Sequence, residues 1–177
     1  MTTSLSTRIE IIRGNITEQA VDAIINSTNE SFEGQGEIEK AIYAAAGPEL
    51  LAECRQIGAC RLGQAVITKG YKLPAKHVIH TVGTPWRGGT FGEEEVLESC
   101  YQNCLKIARA RQLQTIAFSS IATGNLRFPV ERAAKVAWRA TLKFLKTSPL
   151  PEKVSFICFT DEVEASYRAL MSQTKAL

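Results

Sequence analysis

The sequence predicts an α/β fold, a sheet covered by helices on each side. Two observations carry that expectation: strand-like and helix-like segments alternate along the chain, and several of the strand segments are apolar on both faces. The length, 177 residues, suits one domain over residues 1–177. No linker, internal repeat or low-complexity tract divides it, and a chain of this size buries roughly two-thirds of its unfolded surface without staples.

Residues 8–13 alternate and stop at Gly14, which reads as a strand. Thr17 can cap a short helix over 16–20. Residues 21–25 are a second apolar strand, ending in Asn26-Ser-Thr-Asn29. A polar loop with Gly34 and Gly36 precedes a helix over 38–46, which Gly47 closes. Pro48 opens the next helix, to about residue 57, with Glu49 in its first turn. Residues 64–68 and 77–81 are strands separated by Gly70 and Pro74. Gly88, Gly89 and Gly92 mark a loop before a helix over 93–111, acidic at its start and basic at its end, as its dipole favours. Residues 115–118 are a strand, Pro129 starts a helix to about 145, residues 154–159 are the last strand, and residues 161–171 close the chain as a helix.

Composition narrows the class without naming a partner. Hydrophobic residues make up 45% and charged residues 22%, which is globular composition. The net charge of +3 is small and well mixed and gives no support for a nucleic-acid partner. No apolar run approaches the ~20 residues of a membrane span, and the first residues lack the apolar core of a secretory signal. The five cysteines, Cys54, Cys60, Cys100, Cys104 and Cys158, follow no disulfide or C-x-x-C spacing. They read as buried small hydrophobes, and the expected location is cytoplasmic. His77 and His80 fall on opposite faces of a strand with no acidic or Cys cluster beside them, so neither a metal nor another cofactor is expected.

In such sheets ligands sit beyond the carboxyl ends of the strands. That directs attention to residues 26–37, 119–127 and 159–161. Gly34-Gln-Gly36 and Thr123-Gly-Asn125 each precede a helix. Glycine lets backbone N–H groups approach a ligand, and helix N-termini present unpaired donors, so two such loops make a cradle for a diphosphate. There is no P-loop sequence and no Gly-x-Gly-x-x-Gly after the first strand. Asn26 and Asn29 follow an apolar strand, where an amide either bonds the turn or binds sugar hydroxyls and orients water.

Taken together, these segments resemble the macrodomains, which bind ADP-ribose. The resemblance covers about residues 9–170 with the motifs in family order. Arg13-Gly-Asn-Ile-Thr17 resembles G-D-I-T, and Asn26-Ser-Thr-Asn29 resembles N-A-A-N. Gly34-Gln-Gly-Glu-Ile-Glu-Lys-Ala-Ile42 is similar to G-G-G-G-V-D-G-A-I without a gap, and Ala45-Ala-Gly-Pro48 follows in register. His77-Val-Ile-His-Thr-Val-Gly83 and Trp86-Arg-Gly-Gly89 fit as well, and Ser120-Ile-Ala-Thr-Gly124 through Phe128-Pro129 resembles S-I-S-T-G-x-x-G-[FY]-P.

The resemblance implies a three-layer α/β/α fold around a six-stranded mixed sheet, with ADP-ribose or an ADP-ribosylated protein as partner. By the same resemblance, the adenine lies near Asn15 and Ile16 and packs on Phe159. The diphosphate sits between Gly34, Gly36 and Glu37 on one side and Ser120, Ala122, Thr123, Gly124, Asn125, Leu126 and Arg127 on the other. The distal ribose lies near Asn26 and Asn29. In the hydrolytic branch the second Asn and an Asp ten positions on support attack of water on the distal ribose; these positions here are Asn29 and Glu39. The implied activity is hydrolysis of ADP-ribosyl-protein esters or O-acetyl-ADP-ribose. The alternative is a non-catalytic or degenerate macrodomain that reads ADP-ribose or another nucleotide-like ligand. Nothing in the sequence indicates an oligomeric state.

The departures from the family fall on ligand-facing positions. Asn15 replaces an Asp that accepts from the adenine amino group, and its amide oxygen is expected to accept in its place. Glu39 replaces Asp, Tyr43 a histidine, Leu126 an aromatic, and Glu37 and Arg127 replace glycines. A side chain at 37 is expected to strain the loop. Glu37 and Arg127 lie on facing loops, and three arrangements are open: they pair across the cleft, Arg127 grips the phosphate, or both point to solvent.

Overall fold

The computed structural model describes residues 5–175. Six strands form one sheet: β1 (Ile9–Arg13), β2 (Ala23–Thr28), β3 (Ala65–Lys69), β4 (His77–Val82), β5 (Thr115–Phe118) and β6 (Lys153–Cys158). Their spatial order is β1-β6-β5-β2-β4-β3, parallel throughout except for β3, which runs antiparallel to β4. The helices are α1 (Glu37–Ala46), α2 (Pro48–Ile57), α3 (Glu93–Ala110), α4 (Val130–Thr147) and α5 (Asp161–Lys175), with single 3-10 turns at Leu5–Thr7 and Ile16–Glu18. The three-layer mixed-sheet fold matches the expected class.

Two apolar layers follow from the period of two along each strand. Ile25, Ile79, Ile116 and Phe118 face α3, α4 and α5, where Leu97, Tyr101, Leu105, Ala137 and Tyr167 complete a large core. Ile24, Val78, Ala117 and Ile157 face the other way, toward Ile42, Leu50 and Cys54 of α1 and α2. All five cysteines are buried and unpaired. Among the described residues no helix is long and apolar enough to cross a membrane.

Most boundaries follow the sequence pattern to within two residues, but β2 does not. The apolar run suggested residues 21–25, whereas the strand covers Ala23–Thr28, so Asn26 lies within the sheet and not in the loop after it. Pairing decides this: the parallel ladder to β4 continues through Asn26↔His80 and Thr28↔Val82. Helix α4 starts after Pro129, which is its N-cap, and both α4 and α5 run further than the apolar pattern suggested.

Candidate functional site

Because β1, β6, β5 and β2 are parallel neighbours, the segments that follow them line one edge of the sheet in that order. Gly14 N–H donates to Cys158 O at 3.1 Å, which sets the Asn15–Ile16 turn beside the end of β6 and Phe159. Phe159 is 68% exposed, an aromatic face open to solvent at the sheet edge, while Ile16 is buried. Asn15 acts differently from expectation. Its Oδ1 accepts from Thr17 N (2.9 Å) and Thr17 Oγ1 (2.8 Å), capping the 3-10 turn. Two donors occupy both lone pairs, so this oxygen is not open to an adenine amino group.

Next along the edge comes the loop after β5. Ser120 and Thr123 are joined by Thr123 Oγ1 donating to Ser120 Oγ at 2.8 Å. Ala122 (φ 67°) and Arg127 (φ 59°) both adopt the left-handed conformation, and Arg127 N–H closes a turn on Gly124 O at 2.9 Å. The glycine expected at 127 is therefore a conformational requirement that this chain meets with arginine, at a cost of about 1–2 kcal/mol. Leu126 is half-buried against the larger core, and its carbonyl accepts from Trp86 N–H at 2.9 Å.

That bond ties in the loop before α3. Trp86 packs against Phe128 in a tilted pair, with ring centroids 4.7 Å apart and planes at 54°, and the Arg132 guanidinium lies 4.8 Å above the Trp86 ring. Gly89 has to be glycine here, since a Cβ would come within 2.7 Å of Trp86 Cη2. The loop is pinned by Glu93, whose carboxylate accepts from the N–H groups of Arg87 (2.9 Å), Gly89 (3.1 Å) and Phe91 (2.8 Å). Burial raises the pKa of this carboxyl, but the backbone hydrogen bonds outweigh it and hold it down at about 2.

The last segment, between β2 and α1, carries the polar centre. Asn29 Oδ1 accepts from Ser31 N (3.2 Å), Ser31 Oγ (3.0 Å) and Glu33 N (3.0 Å), so Asn29 has only its Nδ2 donors to offer a ligand. Phe32 takes φ 63° yet is fully buried. Burying a phenylalanine contributes about 1.5–3 kcal/mol, enough to offset the ~1–2 kcal/mol of the left-handed backbone. Helix α1 then starts at Glu37 with Gly36 as N-cap. Glu37 is thus an exposed first-turn residue outside the positive-φ region, and the strain expected there is absent. Among the described residues Glu37 and Arg127 form no ion pair, so the expected bridge is absent as well. The two loops do meet elsewhere: Asn125 Oδ1 sits 3.6 Å from where a Cβ on Gly36 would be.

Glu39 points inward from the first turn of α1 and is 1% exposed. Thr28 Oγ1 donates a short hydrogen bond to its Oε1, while Oε2 makes no well-formed hydrogen bond. Burial pushes the carboxyl above the usual range, against hydrogen bonding from Thr28, Asn26 and the Gly34 amide. A buried carboxyl with a raised pKa is suited to exchanging a proton with a ligand or water. Beneath it, Asn26 is fully buried, with Nδ2 at 3.2 Å from His80 Nδ1 and Oδ1 unpartnered. His80 Nε2 lies 2.9 Å from Thr68 Oγ1 and 3.7 Å from Cys54 Sγ, and burial drops its pKa to about 3.

The structure thus lines up Asn15, Ile16, Phe159, residues 120–127, Asn29, Gly34, Gly36, Glu37 and Glu39 along one edge. It removes the Oδ1 of Asn15 and of Asn29 as free acceptors. Sequence reasoning assigned no site role to Thr28, Thr68 or His80. Thr28 stood inside the quoted Asn-Ser-Thr-Asn run, but Thr68 and His80 reach the site only through the pairing of β3 and β4 with β2. Among the described residues no group of three or more His, Cys, Asp or Glu is placed to hold a metal ion.

Loops from four parallel strands converge on the carboxyl edge of a mostly parallel sheet, beside a buried carboxyl, in an α/β/α domain. The Macro domain family model matches residues 25–137. The chain belongs to the macrodomain family. It is 45% identical over 173 residues to the O-acetyl-ADP-ribose deacetylase of Salmonella typhimurium, covering 96% of this chain and 97% of the relative. Among solved structures, the Oceanobacillus iheyensis macrodomain with ADP superposes with a TM-score of 0.90 at 32% identity, covering 96% of this chain and 93% of the other. The Trypanosoma brucei macrodomain in complex with ADP-ribose gives 0.86 at 34% identity, covering 92% of this chain and 68% of the other.

Proposed function

We propose that this chain binds ADP-ribose along the sheet edge and hydrolyses esters of its distal ribose, either O-acetyl-ADP-ribose or ADP-ribose on acidic protein side chains. In this reading the adenine packs on Phe159 beside the Asn15–Ile16 turn. The diphosphate lies between Gly34, Gly36 and Glu37 and the loop of residues 120–127. The distal ribose reaches Asn29 Nδ2 and Asn26. Ionised Glu39 takes a proton from a water whose oxygen attacks the ester carbonyl. The bond from that carbonyl to the ribose oxygen breaks, the ribose oxygen receives the proton, and ADP-ribose and a carboxylic acid leave. The cytoplasmic location expected from the cysteine pattern belongs to the same proposal.

The observation that carries it is Glu39: a buried carboxyl whose ionisation burial opposes costs stability, and it stands beside the Asn29–Gly34 loop, where hydrolysis needs a base. A second reading, a binder without turnover, is favoured by the close fit of Oε2 against Gly34, which ties up the carboxylate of this longer acidic side chain. Titration with ADP-ribose beside a deacylation assay on O-acetyl-ADP-ribose separates the two. Binding with Glu39-dependent turnover supports the enzyme, and binding without turnover supports the reader. Absence of binding overturns both.

A further inference from the structure

Helix α1 meets the loop between β2 and α1 at two points. Glu39 and Tyr43 stand at i and i+4, one above the other on the same face of the helix. Glu39 lies against Gly34, and the Tyr43 hydroxyl donates to Phe32 O at 2.8 Å. The direction of that bond is fixed, because a carbonyl oxygen can only accept. Cys54 Sγ lies 3.7 Å from the same hydroxyl, and burial pushes that thiol up, so no thiolate competes for the phenol proton.

Phe32 is the residue of the loop that most needs holding. Its φ of 63° is costly for a side chain of this kind and persists only where the surroundings over-determine it. Burial fixes the ring, and the Tyr43 hydroxyl fixes the carbonyl. The N–H groups on either side of Phe32, those of Ser31 and Glu33, both donate to Asn29 Oδ1. Backbone N–H groups only donate, so the orientation of the Asn29 amide is fixed as well, with Oδ1 turned into the loop. Asn29 is exposed, and Nδ2 is the end it offers outward. A tie at Phe32 is therefore a tie on the peptide that aims Asn29.

We propose that Tyr43 is a positioning residue for Asn29: through Phe32 it sets where the Nδ2 donors stand relative to Glu39. This rests on the ADP-ribose reading above, in which Nδ2 meets the distal ribose and Glu39 is the base. Strut and base grow from one helix face, so the ribose-binding donor is held in register with the carboxyl that acts beside it.

Calorimetric titration with ADP-ribose and with ADP, which lacks the distal ribose, tests this. Tyr43→Phe keeps the ring and removes the donor. It should weaken ADP-ribose by about tenfold and leave ADP unchanged. In an Asn29→Ala background the same change should cost nothing further, because the group it positions is gone. Equal loss of both ligands, loss of neither, or a loss that persists without the Asn29 amide overturns the positioning role while the ADP-ribose reading stands. A second measurement needs no substitution. In nitrogen-15 NMR of the wild-type protein the Asn29 side-chain amide signal should shift with ADP-ribose and not with ADP, and a signal that answers both alike or neither overturns the role. Wild-type protein that binds neither ligand overturns the ADP-ribose reading and the proposal with it.

Discussion

Glu39 Oε2 lies so close over the Cα of Gly34 that a Cβ there would overlap it. Gly34 lies outside the left-handed region, so the carboxylate is the only obstacle to alanine. Gly34→Ala should therefore destabilise by about 1–3 kcal/mol, the ordinary cost of overpacking. In a Glu39→Ala background the same change should cost almost nothing. A double-mutant cycle by denaturant unfolding checks this, and additive effects would show that the two residues do not touch.

Glu39 also predicts a pH dependence of stability with a definite sign. A carboxyl whose folded-state pKa is raised binds its proton more tightly in the native chain than in the unfolded one. Its favourable contribution is complete below the unfolded value of about 4.3 and is lost as pH rises through the folded value. Glutamine is neutral throughout and still accepts from Thr28. Glu39→Gln should then be at least as stable as wild type at about pH 8, and lose ground to it toward about pH 4. Thermal melts across that range measure it. Turnover on O-acetyl-ADP-ribose should meanwhile fall by ~10²–10⁴, the scale of a lost general base.

Glu93 has the opposite sign. Burial works against its ionisation, yet backbone N–H bonds, its own and those of Phe91, Gly89 and Arg87, win and hold its pKa at about 2. Its contribution is present above the unfolded value of about 4.3 and disappears as pH falls toward about 2. Glu93→Gln should lower the melting temperature at neutral pH, with the gap to wild type closing as the solution is acidified. Amide exchange should speed up at Phe91, whose N–H donates to Oε2, the position that an amide nitrogen takes when the glutamine oxygen keeps Arg87 and Gly89. A gap independent of pH would mean the carboxylate charge is not what holds the loop.

How far the sequence revealed these features depends on how local each one is. The glycine-flanked loops, the Pro48 start of α2 and the acidic start of α3 are signals carried by adjacent residues, and they fell where the pattern put them. The end of β2 did not, because Asn26, Ser27 and Thr28 have turn-forming side chains, and only pairing with β4 keeps them extended. The use of Asn15 Oδ1 and Asn29 Oδ1 inside their own turns was open to sequence reasoning, since both amides precede a hydroxyl residue by two positions. The Thr68–His80–Asn26 chain was not, because it crosses three strands from residues 68, 80 and 26. Motif order identified the family, but the sheet register supplied the floor of its site.

Arg127 brings the two kinds of information together, since the sequence places arginine where glycine is expected and the backbone there has φ 59°. Relief of the left-handed conformation is worth about 1–2 kcal/mol, and the extra freedom glycine gains in the unfolded chain takes back roughly 0.5–1 kcal/mol. Arg127→Gly should therefore stabilise the fold modestly, by about 0.5–1 kcal/mol on balance. A strained residue that a glycine would improve has to be held by something other than stability. The guanidinium is exposed on the loop assigned to the diphosphate and forms no ion pair among the described residues. The same variant should thus lose affinity for ADP-ribose, by about tenfold, in keeping with one charge-assisted hydrogen bond. That loss should shrink as salt is added, because the contact is exposed. Melting temperature and calorimetric titration at low and high salt read both halves in one protein. A variant that gains stability with unchanged affinity would remove Arg127 from the ligand's path.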